Sequence, residues 1–163
     1  RPKVEAPAQR LMALNPHIDT VPVAEMVTAF NAEDLFDEYD LVLDGTDDFA
    51  VRFAVNAACV ALGIPLVTGA IGRWSGQVSV FAGQPCYQCL VPEIPPDAET
   101  CVAVGVVGAL AGVIGAMMAL EAIKVITGAG EALTGRLLLY GGLAGESRTV
   151  RVGADPACPI CGG

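Results

Sequence analysis

Apolar residues at Val4, Ala8, Leu11 and Leu14 recur at helical spacing behind Pro2, and Asn15-Pro16 stops the run, which predicts a first helix. Ile18 to Val23 reads as a short strand, and Ala32 to Phe36 as a short acidic helix. Leu41-Val42-Leu43-Asp44 is an apolar run of the kind shown by a strand buried on both faces. The loop Gly45-Thr46-Asp47-Asp48 carries its own helix cap. The helix that follows extends to about Leu62, and Gly63 ends it. Pro65 to Thr68 predicts another buried strand. Helices and strands alternating in this way imply parallel pairing through helical crossovers.

The pattern changes after Gly69. Gly72 to Gly76 reads as a turn, and Gln77 to Phe81 alternates polar with apolar. A long helix is expected from about Val104 to Thr127, then an antiparallel pair formed by Arg136 to Tyr140 and Arg148 to Val152. The expected fold is α/β, with a mixed sheet that is parallel in its first part and antiparallel in its second. No repeat, low-complexity tract or long linker divides the 163 residues, so one domain is expected.

Val102 to Leu120 is uncharged for 19 residues, long enough to cross a bilayer, and holds the packing spacing Gly108-x-x-x-Gly112. The same stretch has four glycines and runs into Glu121 and Lys124, with no flanking Lys/Arg cluster to set an orientation. It is read as the interior or dimer-interface helix of a soluble, cytoplasmic protein, with no membrane partner.

Composition narrows the picture. A hydrophobic content of 53% with 19 glycines excludes disorder. A formal charge of −9 leaves no basic patch to displace counterions, which excludes a nucleic-acid partner. Four of the six cysteines form two C-x-x-C pairs, Cys86-Tyr-Gln-Cys89 and Cys158-Pro-Ile-Cys161. Four thiolates complete a closed tetrahedral zinc site, which stabilises a fold and leaves no open position for chemistry. Metal spacing also favours a reducing compartment over a disulfide framework.

Chemistry is therefore sought elsewhere. In open α/β sheets, ligands bind beyond the carboxyl ends of parallel strands, here the loop Asp44-Gly45-Thr46-Asp47-Asp48. Its carboxylates suit a magnesium ion that also holds nucleotide phosphates, or they simply cap the next helix. Cys101, ahead of the long apolar helix, is either a nucleophile assisted by the helix dipole or a half-buried free thiol. Cys59, beside Ala57 and Ala58, reads as a small core residue, and His17 as a surface residue. Lys3, Arg52 and Arg73 could each face a triphosphate; equally, Arg52 could pair with Asp48 one helical turn earlier.

Several ordered strings together resemble the bacterial adenylyltransferases related to ubiquitin-activating enzymes. They are Pro2-Lys3-Val4-Glu5, Asn15-Pro16-His17, Leu41 to Asp48, Gly76 to Phe81, Pro85 to Leu90, Glu121-Ala122-Ile123-Lys124 and Cys158 to Gly162. The nearest resemblance is to the activators of the molybdopterin-synthase and thiamine-pathway sulfur carriers. It implies a Rossmann-like adenylation domain with a mixed sheet and a four-cysteine zinc site. The implied activity uses ATP and Mg2+ to adenylate the C-terminal Gly-Gly carboxylate of a small ubiquitin-like sulfur carrier. By the same resemblance, Asp47 matches the metal-binding and catalytic aspartate, with Asp48 beside it, and Lys3 matches the nucleotide-contacting lysine. Cys101 matches a cysteine that some members use in covalent or sulfur-transfer steps. Cys86, Cys89, Cys158 and Cys161 match the structural zinc ligands, and a homodimer is implied.

Two positions depart from the family pattern: Asp48 stands where asparagine is usual, and Tyr140-Gly141 where Tyr-Asp is common. No G-x-G-x-x-G opens a helix after a strand. The chain is therefore expected to be the C-terminal portion of a longer enzyme, without the nucleotide loop and inactive alone. Its sheet should lack its first strands and leave an edge that wants cover. The competing expectation is a non-catalytic, zinc-stabilised module that docks a carrier or second subunit. A dinucleotide-dependent oxidoreductase would share only the strand–helix alternation.

Overall fold

The computed structural model describes residues 3–96 and 105–162. Helix α1 spans Glu5–Leu14; only Ala8 of it is buried, and Leu11 and Leu14 stand exposed. No strand forms over Ile18 to Val23, contrary to the sequence expectation. Pro16 and Pro22 remove backbone donors there, and no strand among the described residues offers that segment a ladder. Helix α2 spans Ala32–Phe36, as its acidic pattern predicts.

Strand β1 (Val42–Asp44) runs parallel to β2 (Leu66–Ile71), with Val42 opposite Leu66 and Asp44 opposite Thr68. Helix α3 (Phe49–Leu62) is the crossover between them. Its limits follow from local chemistry. The Asp48 carboxylate accepts the N–H groups of Ala50 and Val51 at the N-terminus. At the other end Gly63 takes a left-handed φ of 68°, which its missing Cβ permits. Strand β2 turns through Gly72 into β3 (Ser75–Phe81), and β3 pairs antiparallel with both β2 and β4 (Arg136–Gly141). Strand β5 (Glu146–Arg151) closes the order β1-β2-β3-β4-β5. The sheet is mixed, as expected, with β1–β2 its one parallel pair among the described residues. Among the described residues β1 lies at the edge of the sheet, and Leu43 is 48% exposed, so the strand is not buried on both faces here.

A one-turn helix α4 (Tyr87–Leu90) follows β3, and helix α5 (Gly108–Thr127) precedes β4. Helix α5 starts four residues later than its apolar pattern suggests. Gly105 takes a φ of 72°, outside helical geometry, and Val107 is still extended. By length and apolar composition α5 could cross a membrane. In this fold it packs Leu110, Ile114, Met118 and Ala122 onto Val67, Val78 and Val80 of the sheet. Its buried Glu121 accepts the Leu133 N–H at 2.7 Å and pairs with Lys124. The opposite face of the sheet carries α3 and α4, where Val55, Cys59, Leu66, Phe81 and Tyr87 form a second core.

Gly76 lets α5 come down onto β3. A Cβ there would meet Ile114 Cδ1 and Cγ1 at 2.4 Å. Gly76→Ala is expected to lower stability by about 1–3 kcal/mol, read from the urea midpoint, because overpacking forces Ile114 off its rotamer. An unchanged midpoint would contradict this packing. Burial first, and the charge of Asp44 second, raise the Cys59 thiol from its ordinary 9.0 to about 12. Between those values the folded state keeps a proton that the unfolded state has lost, so stability falls as pH rises. Replacing Cys59 with alanine should flatten the fall in melting temperature between pH 9 and 10.5.

Candidate functional site

The loop between β1 and α3 lies beyond the carboxyl ends of the two parallel strands, where such sheets bind ligands. Asp44, 4% exposed, shapes it from below. One carboxylate oxygen accepts the Thr46 N–H at 2.8 Å and the Thr46 hydroxyl at 2.7 Å. This Asx turn throws Asp47 outward, where it is exposed. Asp48 spends one oxygen, Oδ1, on the N-cap, at 2.7 Å from the Ala50 N–H and 3.2 Å from that of Val51.

The Arg52 side chain does not pair with Asp48, as its sequence position also allowed, but lines the cavity beside the loop while most of its guanidinium is held inside. Its guanidinium turns inward, 5% exposed. Nη1 donates to the Thr68 hydroxyl at 3.0 Å, while Nη2 donates to the Gly69 carbonyl at 2.7 Å and to the Thr46 carbonyl. One side chain thus ties the loop to the middle of β2. Above it opens a cavity of about 450 Å³ lined by Gly45, Asp47, Arg52, Gly69, Ile114 and Met118, among others. Lys3 is exposed in the turn before α1 and is not among the residues lining this cavity. Arg73 is exposed, and Cys101 lies outside the described residues.

The four remaining cysteines meet beside the middle of α3, where Asn56 reaches Cys86. All four sulfurs lie within 4.8 Å of one another, with Cys86 to Cys158 at 3.7 Å and Cys89 to Cys161 at 3.4 Å. Tetrahedral zinc–thiolate bonds of about 2.3 Å would set sulfurs roughly 3.8 Å apart, so the thiols present fit a zinc ion. Burial opposes the thiolate at Cys158, but backbone hydrogen bonds from Cys161 and Ile160 bring it down to about 7. Burial also pushes the Cys86 thiol up. Such a site would pin the segment after β5 to α4.

Sequence reasoning missed the inward roles of Arg52 and Asn56. The signal was present: they are lone polar residues, four apart, in the otherwise apolar run Phe-Ala-Val-Arg-Phe-Ala-Val-Asn-Ala-Ala. Buried polar groups need partners, so isolated ones in an apolar helix mark an internal network. Arg52→Leu would strand the Thr46 and Gly69 carbonyls and the Thr68 hydroxyl. Each unmet group costs about 1–3 kcal/mol, so an unfolding free energy lower by about 3 kcal/mol is expected from urea denaturation, and Arg52→Lys should not restore it.

Comparison with known proteins matches this arrangement to one family. Residues 1–160 match the model of the ThiF family. The chain is 41% identical over 165 residues to the molybdopterin-synthase adenylyltransferase of Escherichia coli, covering 99% of this chain and 66% of that protein. It is 44% identical over 170 residues to the sulfur carrier protein adenylyltransferase of Thermus thermophilus, covering 99% of this chain and 63% of that protein. The chain thus spans just under two thirds of the length of these relatives. The fold also superposes on the crystal structure of E. coli MccB in complex with MccA-N7isoASN, with a TM-score of 0.83 at 18% identity, over 99% of this chain and 51% of that one. A mixed sheet with a loop clamped at its parallel end, four clustered thiols and homologues that are adenylyltransferases lead to one assignment: the chain belongs to the ThiF family.

Proposed function

We propose that this chain is part of an enzyme that adenylates the C-terminal Gly-Gly carboxylate of a ubiquitin-like sulfur carrier, in the molybdopterin or thiamine pathway. The observation that carries the reading is the Arg52-clamped loop, which presents Asp47 at the mouth of a cavity beyond the parallel strands. In this reaction a carrier carboxylate oxygen attacks the α-phosphorus of ATP. The bond to the β-phosphate bridging oxygen breaks, and pyrophosphate leaves with that electron pair. Bound Mg2+ would offset charge on the phosphates. Asp47, with Asp48 beside it, would hold that ion, and Lys3 would contact the nucleotide. Arg52 and Asp44 keep the loop in place.

The remainder of the reading follows the same lines. Cys86, Cys89, Cys158 and Cys161 would hold structural zinc. Cys101 would serve a step after adenylation, so pyrophosphate exchange would not need it. The chain would form a single adenylation unit together with sequence that it does not itself contain, including a glycine-rich nucleotide loop. A homodimer through the outward face of α5, where Leu120, Ile123 and Ile126 are exposed, fits its apolar character. A cytoplasmic setting would keep the thiols reduced.

The deciding experiment is ATP–pyrophosphate exchange by the full-length protein with a panel of Gly-Gly carriers. Exchange with one carrier is expected, and Asp47→Ala should lower it about a hundredfold or more. Near-normal exchange by that variant would remove Asp47 from the mechanism. Carrier binding with no exchange and no nucleotide dependence would leave a zinc-stabilised docking module in its place.

A further inference from the structure

Asn56 is the most completely buried polar residue on α3, at 1% exposure. Its position is fixed at both ends of the amide. Oδ1 accepts the Tyr87 N–H at 2.8 Å, which settles which way the group points. Nδ2 is then directed at Cys86 Sγ, 3.4 Å away. Cys86 is itself fully buried, so this sulfur has no solvent to stabilise charge on it. The second C-x-x-C sulfur of the same knuckle is served differently: the Asp155 backbone N–H lies 3.5 Å from Cys89 Sγ.

We propose that Asn56 is a positioning residue of the four-thiolate site, donating an N–H···S hydrogen bond to the Cys86 thiolate while its carbonyl fixes the backbone of the C-x-x-C turn. This rests on the reading of the four cysteines as a metal site. A hydrogen bond from outside the ligand shell holds the sulfur in its bonding direction and lowers the energy of its donor electrons. It also spreads thiolate charge where burial would otherwise oppose it. Because Asn56 stands four residues beyond Arg52, the same helix carries the loop clamp and the metal anchor. The Tyr87 ring, inside the C-x-x-C, lies 5.9 Å from the Arg52 guanidinium and bridges the two.

The test uses the full-length protein, zinc-loaded and cobalt-substituted, with Asn56→Asp. The carboxylate keeps an oxygen for the Tyr87 N–H but turns a second oxygen, not a donor, toward Cys86. Expected are zinc transfer to a chelating dye at least about tenfold faster and a thiolate-to-cobalt charge-transfer band at longer wavelength. Gly76→Ala, which strains the fold elsewhere, should leave the band where it is. If Asn56→Asp does not fold, the cobalt band of Asn56→Ala decides in the same direction. A band and a release rate equal to the parent's would overturn the role of Asn56 alone. A parent protein that binds neither metal would overturn the metal site, and the role of Asn56 with it.

Discussion

Arg52 is a buried cation that protein oxygen solvates in place of water: two carbonyls, one hydroxyl and the face of the Tyr87 ring. Burying a charge is costly unless every donor finds a partner. Here those partners come from three places, namely the loop after β1, the middle of β2 and the one-turn helix α4 inside the first C-x-x-C. The guanidinium can be satisfied only when all three are assembled. The loop that carries Asp47 is held by this network and by the Asx turn of Asp44.

Seen along α3, the polar positions form a line. Asp48 caps the first turn, Arg52 reaches the loop and β2, and Asn56 reaches the knuckle; each is four residues from the next and so lies near one face. The apolar residues between them pack on Leu66 and Phe81. A single helix thereby connects the solvent-facing loop that carries Asp47 to the cluster of four thiols.

Much of this was legible in the sequence, for local reasons. The limits of α3 follow from a capping carboxylate and a left-handed glycine, both of which act within a turn. The hairpin and the thiol cluster follow from glycine placement and C-x-x-C spacing. Features that depend on distant partners were not legible. Ile18 to Val23 has strand composition but no neighbour among the described residues to pair with, and composition does not carry that information. Leu43 looked doubly buried because an apolar run does not reveal that its strand sits at an edge. Arg52 looked free to face a phosphate or Asp48, and only the fold reveals the internal oxygens that hold its guanidinium at the cavity wall.

Among the described residues the outer flank of β1 is unpaired, and for this chain by itself that has a colloidal consequence. Unpaired strand edges are templates for another chain to add on, and this one carries an exposed leucine at its middle. Its length limits the hazard, since β1 is three residues long. Its surroundings limit it further: Asp37, Glu38 and Asp40 precede the strand, and Asp47 and Asp48 follow it. Five carboxylates around so short a strand act as gatekeepers, and a second acidic chain approaching edge-on meets like charge before it meets a hydrogen bond. In this chain taken by itself, the acidity around β1 thus opposes edge-to-edge stacking and does so less as acid or salt removes the repulsion, whereas a longer chain that supplies a neighbouring strand would cover the edge with hydrogen bonds instead.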